Sequence, residues 1–141
     1  DILFNKVAIK PGKPTVFARK GNTLVFGLPG NPISCLVTFE CFVRPALGRL
    51  CGMTKPELPR IKGELLADMR QSPGRTAYMP AWVTWQESGW KVEPLAWKNS
   101  ADIVGFSGAN ATFIFPKDLS LLRRGEIVDV MLLPDYFVRQ R

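Results

Sequence analysis

Three lysines lie around a Pro-Gly turn near the start of the chain, at Lys6, Lys10 and Lys13. Their ammonium groups donate charge-assisted hydrogen bonds of the kind that hold phosphate or oxyanion oxygens. Lys6 and Lys10 are four residues apart, so on one strand both side chains point to the same face. Pro11-Gly12 predicts a turn, because proline presets φ and glycine accepts a positive φ. The pattern predicts an anion-binding cluster, and the alternative is a solvated edge strand protected by lysines.

A second anion-binding feature is predicted where the segment GLPGNP follows an apolar strand. Asn31 suits the N-cap of a helix and Pro32 suits its first position. The free backbone N–H groups and the helix dipole attract anions at such a junction. Gly27 and Gly30 allow a ligand to approach the backbone, and Ser34 offers a hydroxyl group. The alternative is that the glycines and prolines only shape the turn and Asn31 only caps the helix.

The segment VFARKGNTLVF joins these two motifs and predicts a hairpin with its tip at Lys20-Gly21-Asn22. A hairpin brings the segments before and after it close together, so we expect the lysines and the GLPGNP loop to meet. Mobile positive charges beside fixed backbone donors suit a phosphate-bearing or oxyanion ligand. Nucleic acid fits less well, because flat aromatic surfaces for stacking bases are not evident in this part of the sequence.

Composition limits the other classes of function. The 141 residues carry a net charge of +7 and include three cysteines and no histidine. Residues 1–57 hold eight Lys/Arg against three Asp/Glu, whereas residues 58–141 hold eleven against nine, so the excess of positive charge lies mainly in the first part. The cysteines form no C-x-x-C pair and cannot supply a zinc site. Their odd count and apolar neighbours favour reduced, buried thiols in a cytoplasmic protein over a disulfide. No apolar stretch predicts a membrane helix.

Periodicity predicts two regions of different character, residues 1–55 and 56–141. The first reads as a strand over residues 1–10, the hairpin, and a helix from Asn31 to about Leu50 in which Pro45 introduces a kink or a new first turn. This helix is predicted to have a wide apolar face that includes Leu47 and to stop at Gly52. After the Pro-rich linker TKPELP, short apolar segments alternate with turn signals, which predicts a small all-β barrel. We expect the four tryptophans to fill that barrel instead of binding a ligand: Trp82, Trp85, Trp90 and Trp97.

The segments KPGKP, GLPGNP and the later SADIVGFSGANATFIFP and RRGEIVDVMLL occur in an order that resembles the molybdopterin molybdenumtransferase family, which includes the E domain of gephyrin. The resemblance spans essentially the whole chain. It implies an α/β plus all-β fold, in which the C-terminal part of a three-layer α/β molybdopterin-binding domain is followed by a small β-barrel domain. It also implies a cytoplasmic enzyme of molybdenum-cofactor assembly.

The resemblance further implies that molybdate is inserted into adenylylated molybdopterin with release of AMP, in a magnesium-dependent reaction. Lys6 and Lys10 match lysines of the active-site region, and Ser100 matches a serine of the barrel domain that faces that site. Pro29, Gly30, Asn31 and Pro32 match the loop beside the pterin phosphate or molybdate. With Lys13 and Ser34, which follow from the residue pattern alone, these form the predicted substrate-binding set.

Catalytic aspartates are expected outside this sequence. The family's Gly-Gly-x-Ser-x-Gly region and its magnesium-binding aspartates are not found here, so we expect the chain alone to be inactive and Mg²⁺ to be held mainly by other residues. Four aspartates match none of that motif, and we expect each to be solvated or to lie in a turn: Asp102, Asp118, Asp129 and Asp135. Pro80 stands where the family usually has arginine, and Arg75 is a candidate replacement.

The expected partners are the two small-molecule substrates, a second copy of the chain in a homodimer, and transient contacts with other cofactor-assembly proteins. Neither nucleic acid nor a membrane is expected as a partner. The alternative function is a scaffold or interaction module of the gephyrin type, without transferase activity.

Overall fold

The computed structural model describes residues 1–134, which form two compact units, Asp1–Glu57 and the part that begins at Leu58. The division lies two residues after the boundary that the sequence predicts. The first unit combines a small sheet with a helix, and the second is a β-barrel with one short helix. This confirms the predicted α/β plus all-β fold class.

An antiparallel sheet with the strand order β1-β3-β4 forms the centre of the first unit. The predicted hairpin is present, and Gly21 at its tip has a φ of +59°. The prediction of a single strand over residues 1–10 is wrong. The chain leaves the sheet after Phe4, and the Val7 N–H donates to the Lys13 carbonyl instead. Lys6 therefore lies in a connection and not on the same strand as Lys10. The strands are β1 (Ile2–Phe4), β2 (Ile9–Lys10), β3 (Val16–Lys20) and β4 (Thr23–Gly27).

One helical stretch follows the sheet in three parts: α1 (Pro32–Thr38), a π-helical segment (Phe39–Val43) and α2 (Arg44–Leu50). The Arg44 N–H donates to the Phe39 carbonyl five residues earlier, which makes this turn wider than an α-turn. The wide turn precedes Pro45, whose nitrogen carries no hydrogen. Proline thus stands in the first turn of α2, the second of the two predicted outcomes.

The π-helical segment changes which side chains of the helix are buried. The sequence predicts Leu47 on the apolar face, but this side chain is half exposed. Glu40 is buried instead, and both its carboxylate oxygens accept hydrogen bonds from Arg44. An extra residue within one turn rotates the following side chains relative to the preceding ones, so a strict 3.6-residue pattern fails across it.

The helix ends at a glycine, as the sequence predicts. Gly52 has a φ of +81°, its N–H donates to the Arg49 carbonyl, and the Met53 N–H donates to the Gly48 carbonyl. These two bonds are the Schellman arrangement. The linker then folds back, since a Cβ on Gly48 would come within 2.3 Å of the Pro56 side chain. The predicted linker is therefore partly packed onto the helix.

A closed five-stranded barrel forms the second unit, with the order β7-β8-β5-β11-β9 and a final pairing of β9 with β7. All neighbours are antiparallel except β5 and β8, which are parallel. A two-stranded sheet of β6 and β10 lies beside them in the same unit. The strands are β5 (Arg60–Leu65), β6 (Met69–Arg70), β7 (Thr76–Gln86), β8 (Gly89–Pro94), β9 (Ala111–Phe115), β10 (Leu121–Leu122) and β11 (Ile127–Leu132).

Aliphatic residues and two phenylalanines, Phe113 and Phe115, fill the barrel core. The expectation that the tryptophans fill it is largely wrong. Trp90 packs against the core and contacts Trp85 edge to face, but the Trp85 side chain is 66% exposed. Trp97 packs against Phe106 outside the core cluster. Across β7 and β9, Ala77 pairs with Phe115, Met79 with Phe113 and Ala81 with Ala111, so phenylalanine, methionine and alanine side chains take these positions and not an indole ring.

Candidate functional site

The strand register of the hairpin brings the two predicted anion-binding motifs together. Val16, at the start of β3, pairs with Gly27, at the end of β4. KPGKP ends shortly before Val16, and GLPGNP begins at Gly27. The two motifs therefore lie at the same open end of the hairpin, whereas Lys20 lies at the opposite, closed end. The sequence predicts this proximity, and the register is its direct cause.

Backbone and hydroxyl hydrogen bonds fix the shape of the lysine turn. The Lys10–Pro11 peptide bond is cis, and Gly12 has a φ of +128°. The Val7 N–H donates to the Lys13 carbonyl at 2.9 Å, and the buried Thr15 hydroxyl donates to the Gly12 carbonyl at 2.6 Å. The backbones on the two sides of the turn, at Val7 and Lys13, are thereby bonded to each other.

Gly12 also joins the turn to the helix that follows GLPGNP. A Cβ on Gly12 would lie 2.4 Å from Thr38 Cγ2 and 3.3 Å from Ile9 Cδ1. No real side chain has room at such distances, so the turn packs against α1 through the bare α-carbon. A glycine at this position satisfies two requirements at once, the positive φ and the close contact.

Within the described part of the chain, the charge of the three lysines is not neutralised by an ion pair. Lys6 and Lys13 are exposed and Lys10 is half-buried. Within residues 1–134, the ion pairs are Arg44–Glu40, Arg49–Glu57, Lys62–Asp129 and Lys91–Glu64, so none of these three lysines pairs with a carboxylate. Positive groups held together without an internal counter-charge attract an external anion.

The GLPGNP loop leads into α1 as predicted, with Asn31 at the N-cap and Pro32 in the first turn. The Cys35 N–H donates to the Asn31 carbonyl at 2.9 Å, which closes the first helical turn. In this fully described turn, however, the Asn31 side chain accepts no capping hydrogen bond. Pro29 is half-buried, whereas Gly30, Asn31 and Pro32 are exposed.

Gly30 and Ser34 occupy contrasting environments. A Cβ on Gly30 would meet no atom within 4 Å, and its φ is not positive, so neither packing nor backbone conformation requires glycine there. Ser34 is buried, and its carbonyl accepts a hydrogen bond from the Thr38 hydroxyl at 2.8 Å. Ser34 thus faces the interior of the first unit, although the sequence predicts a hydroxyl offered to a ligand.

Ser100, the predicted site residue of the second unit, lies half-buried in the connection between β8 and β9. The connection contains a short helix, α3 (Ile103–Ser107), that the sequence reading missed. Asp102 caps it: its two carboxylate oxygens accept the Gly105 N–H at 2.9 Å and the Lys98 N–H at 3.1 Å. These hydrogen bonds, that from Gly105 first, hold the pKa of Asp102 below its usual value. The sequence contained a signal for the start of this helix, since an Asp immediately precedes two apolar residues.

Structural positions are taken by the other described aspartates, by Pro80, which departs from the family pattern, and by its candidate replacement Arg75. Asp118 is exposed and Asp129 pairs with Lys62, while Asp135 lies outside the described residues. Pro80 is buried in β7, and its carbonyl accepts the Leu95 N–H. The Arg75 carbonyl, just before β7, accepts a hydrogen bond from the Gln71 side chain.

Neither metal ligands nor membrane helices were found among the residues that the structure describes. No group of three or more His, Cys, Asp and Glu side chains there is arranged to hold a metal ion. The three cysteines are free thiols, but the prediction that they are buried is wrong, since Cys35 and Cys41 are half-buried and Cys51 is exposed. No helix in the described part of the chain is long and apolar enough to cross a membrane.

Comparison with known families decides the relationship. Residues 62–133, half of the chain, match the family model described as the MoeA C-terminal region (domain IV). The chain belongs to the MoeA family. Residues 1–49 match a second model, described as a probable molybdopterin binding domain, so the units that carry the lysine turn and the barrel each have a counterpart in this family.

Similar proteins agree with membership of the MoeA family. The molybdopterin molybdenumtransferase of Staphylococcus aureus (strain N315) is 33% identical over 132 residues, which are 94% of this chain and 32% of that protein. The Staphylococcus epidermidis protein of that name (strain ATCC 12228 / FDA PCI 1200) is 36% identical with the same coverage. The chain therefore spans about a third of the length of these curated relatives.

Solved structures show the same relationship for the fold. The molybdopterin biosynthesis MoeA protein from Pyrococcus horikoshii OT3 matches 94% of this chain and 32% of its own with a TM-score of 0.77 and 29% identity. A molybdenum cofactor biosynthesis protein from Pyrococcus furiosus matches 94% of this chain and 46% of its own with a TM-score of 0.76 and 28% identity.

Proposed function

We propose that this chain supplies part of the substrate-binding site of a molybdopterin molybdenumtransferase, an enzyme that inserts molybdate into adenylylated molybdopterin with release of AMP. The observation that carries the proposal is the pairing of Val16 with Gly27, which puts the lysine turn and the GLPGNP loop at one end of the hairpin. The names of the relatives support the reaction class.

The proposed role of the lysines is electrostatic. Molybdate and the phosphates of the adenylylated pterin are both anions, so bringing them together is opposed by their charges. Ammonium groups of Lys6, Lys10 and Lys13 would donate charge-assisted hydrogen bonds to these oxygens and offset the repulsion. Their lack of carboxylate partners within the described residues leaves their full charge for a ligand.

The proposed role of the GLPGNP loop is to hold an oxygen atom against the backbone. The space around Gly30 supports this, because the fold itself gives no reason for a missing side chain there. Pro29, Asn31 and Pro32 would shape this loop. Ser34 supports the helix from inside, and Ser100 in the second unit is proposed as a further substrate contact.

Magnesium does not fit the residues described here. Mg²⁺ prefers carboxylate and water oxygens, and residues 1–134 contain no group of three or more carboxylate, histidine or cysteine side chains arranged for an ion. We assign no step to the metal within this chain. A homodimer and a cytoplasmic location remain predictions of the resemblance.

The first experiment measures molybdate binding to the 141-residue chain by isothermal titration calorimetry. Lys10→Ala is expected to weaken binding about tenfold, the range for the loss of one charge-assisted hydrogen bond. Lys20→Ala is the matched control, because it removes one lysine from the same unit at the closed end of the hairpin. Equal losses in both variants would show that only the net charge attracts the anion.

The second experiment tests the reaction class. A chimera in which this chain replaces the matched C-terminal part of the Staphylococcus aureus relative is expressed in a bacterial strain that lacks the transferase. Restored molybdoenzyme activity that is lost on Lys10→Ala supports the proposal. Full activity of the Lys10→Ala chimera would remove the proposed role of Lys10, and a folded chimera without activity would favour the scaffold alternative.

A further inference from the structure

The contact between Gly12 and Thr38 suggests how the lysine turn is held relative to the helix. The space that a side chain on Gly12 would need is occupied by Thr38 Cγ2, at 2.4 Å from the ideal Cβ position. Thr38 is fully buried, whereas the lysines of the turn are half-buried or exposed. At Gly12, the turn therefore packs against a buried methyl group of the helix.

Hydrogen bonds of Thr38 fix the direction of that methyl group. Its hydroxyl donates to the Ser34 carbonyl at 2.8 Å and lies 3.2 Å from the Cys35 carbonyl, both within α1. A threonine whose hydroxyl is bound to the preceding turn of its own helix keeps a single χ1 rotamer. The methyl group is then held on the side of the helix that faces Gly12.

The position of Thr38 in the helix adds to this constraint. The residue ends α1, and the π-helical segment begins immediately after it at Phe39. π-helical turns are uncommon and often occur beside functional sites. Buried Glu40 lies within that segment and pairs with Arg44, so the helix is held on both sides of the change in winding.

We propose that Thr38 is a positioning residue for the lysine turn, and that its methyl group sets the distance between the lysines and the loop at Gly30. The inference rests on the proposed function, since a distance between two anion-binding elements matters only if one ligand contacts both. Thr38 itself touches no substrate in this proposal. It acts through Gly12 and the backbone that joins Gly12 to Lys13.

Two variants of the full 141-residue chain separate the methyl group from the hydroxyl. Thr38→Ser keeps the hydroxyl and removes the methyl group that faces Gly12. Thr38→Val keeps a methyl group there and removes the hydroxyl, with valine holding mainly one rotamer in a helix. Two measurements are made on each: amide hydrogen exchange of Val7, whose N–H is bonded to Lys13 across the turn, and the molybdate dissociation constant by calorimetry.

We expect Thr38→Ser to speed Val7 exchange and to weaken molybdate binding about tenfold, because small misplacements of binding groups are costly. Thr38→Val is expected to remain within about twofold of the unmodified chain in both measurements, well under the tenfold step of 1.4 kcal/mol. A role limited to stability would instead make valine as harmful as serine, since valine loses the hydrogen bonds.

Three results would overturn the inference in distinguishable ways. Unchanged Val7 exchange in Thr38→Ser would show that the methyl group does not hold the turn. Faster exchange with unchanged molybdate affinity would make the contact structural only. Faster exchange in a chain whose unmodified form does not bind molybdate would reject the proposed function itself and leave Thr38 with a role in packing alone.

Discussion

The Asn110 side chain is bonded twice to the backbone of Val83. Its Nδ2 donates to the Val83 carbonyl at 2.9 Å, and its Oδ1 accepts the Val83 N–H at 2.8 Å. Ala111 pairs with Ala81 at the start of β9, so the side-chain amide continues the ladder between β9 and β7 one step beyond the last strand residue. A side chain thus takes the place of a peptide group where the barrel closes.

Replacement of Asn110 by alanine is expected to destabilise the barrel by about 2 kcal/mol, because a partly buried N–H and C=O of β7 lose their partners. Urea unfolding followed by tryptophan fluorescence measures the change. Asn99→Ala is the control, since the Asn99 side chain accepts an exposed bond from the Ala101 N–H, and the loss of that bond should cost less than about 1 kcal/mol. Equal effects would show that the bridge to Val83 adds nothing.

Stability near Asp102 is expected to depend on acid pH. Hydrogen bonds from Gly105 and Lys98 lower the pKa of Asp102 in the folded chain below its ordinary value of 3.8. The ionised carboxylate therefore stabilises the fold above the unfolded-state pKa, and this contribution is lost as pH falls through the lower, folded-state pKa. Asp102→Asn should lower the melting temperature at pH 7, and the difference should shrink below about pH 4. A difference that is constant over this range would contradict the assignment.

Replacement of glycine by alanine is expected to lower the stability strongly at position 12 and to change it little at position 30. Gly12→Ala combines a positive φ with a Cβ at 2.4 Å from Thr38, so a loss of about 2 kcal/mol or more is expected. Gly30→Ala meets nothing within 4 Å and should leave stability within about 0.5 kcal/mol. Thermal unfolding gives both values, and molybdate titration of Gly30→Ala then tests the loop: weaker binding at unchanged stability is the expected result.

Arg44→Ala is expected to cost more stability than Arg49→Ala. Arg44 is 32% exposed and pairs with the fully buried carboxylate of Glu40, whereas Arg49 and Glu57 are both more than half exposed. Loss of a partner from a buried charge costs several kcal/mol, so about 2 kcal/mol is expected for Arg44 after allowing for its exposure, against less than about 1 kcal/mol for Arg49. Denaturant unfolding measures both, and similar values would contradict the importance of the buried pair.

Local signals predicted the parts of the candidate site that depend on neighbouring residues. The Pro11-Gly12 turn, the helix start at Pro32 and the helix stop at Gly52 each follow from the preferences of one or two residues. The proximity of KPGKP and GLPGNP followed from the hairpin, because a hairpin register is fixed by its own turn. These features needed no information about distant contacts.

Features that the preferences of single residues do not reveal were missed. Lys6 left its predicted strand because the Val7 N–H bonds to Lys13, which the alternation of residues 1–10 does not reveal. The π-helical turn breaks the helical period on which the predicted face was based, and Leu47 beyond this turn is half exposed. Trp85 is exposed because it follows Val83, the last buried residue of β7, and pairs with Trp90 near the turn to β8, beyond the core.

The barrel closes through a pairing between β5 and β11, two strands that are synthesised at different times. β11 lies between β5 and β9, and Val130 pairs with Ile61 on one side and with Phe113 on the other. During synthesis, β5 therefore leaves the ribosome long before β11, the strand that fills the gap, and β9 leaves it shortly before β11. Until β11 arrives, both present unpaired edges that invite pairing with other chains. Truncation within residues 127–132 should accordingly yield an aggregating chain and not a smaller barrel.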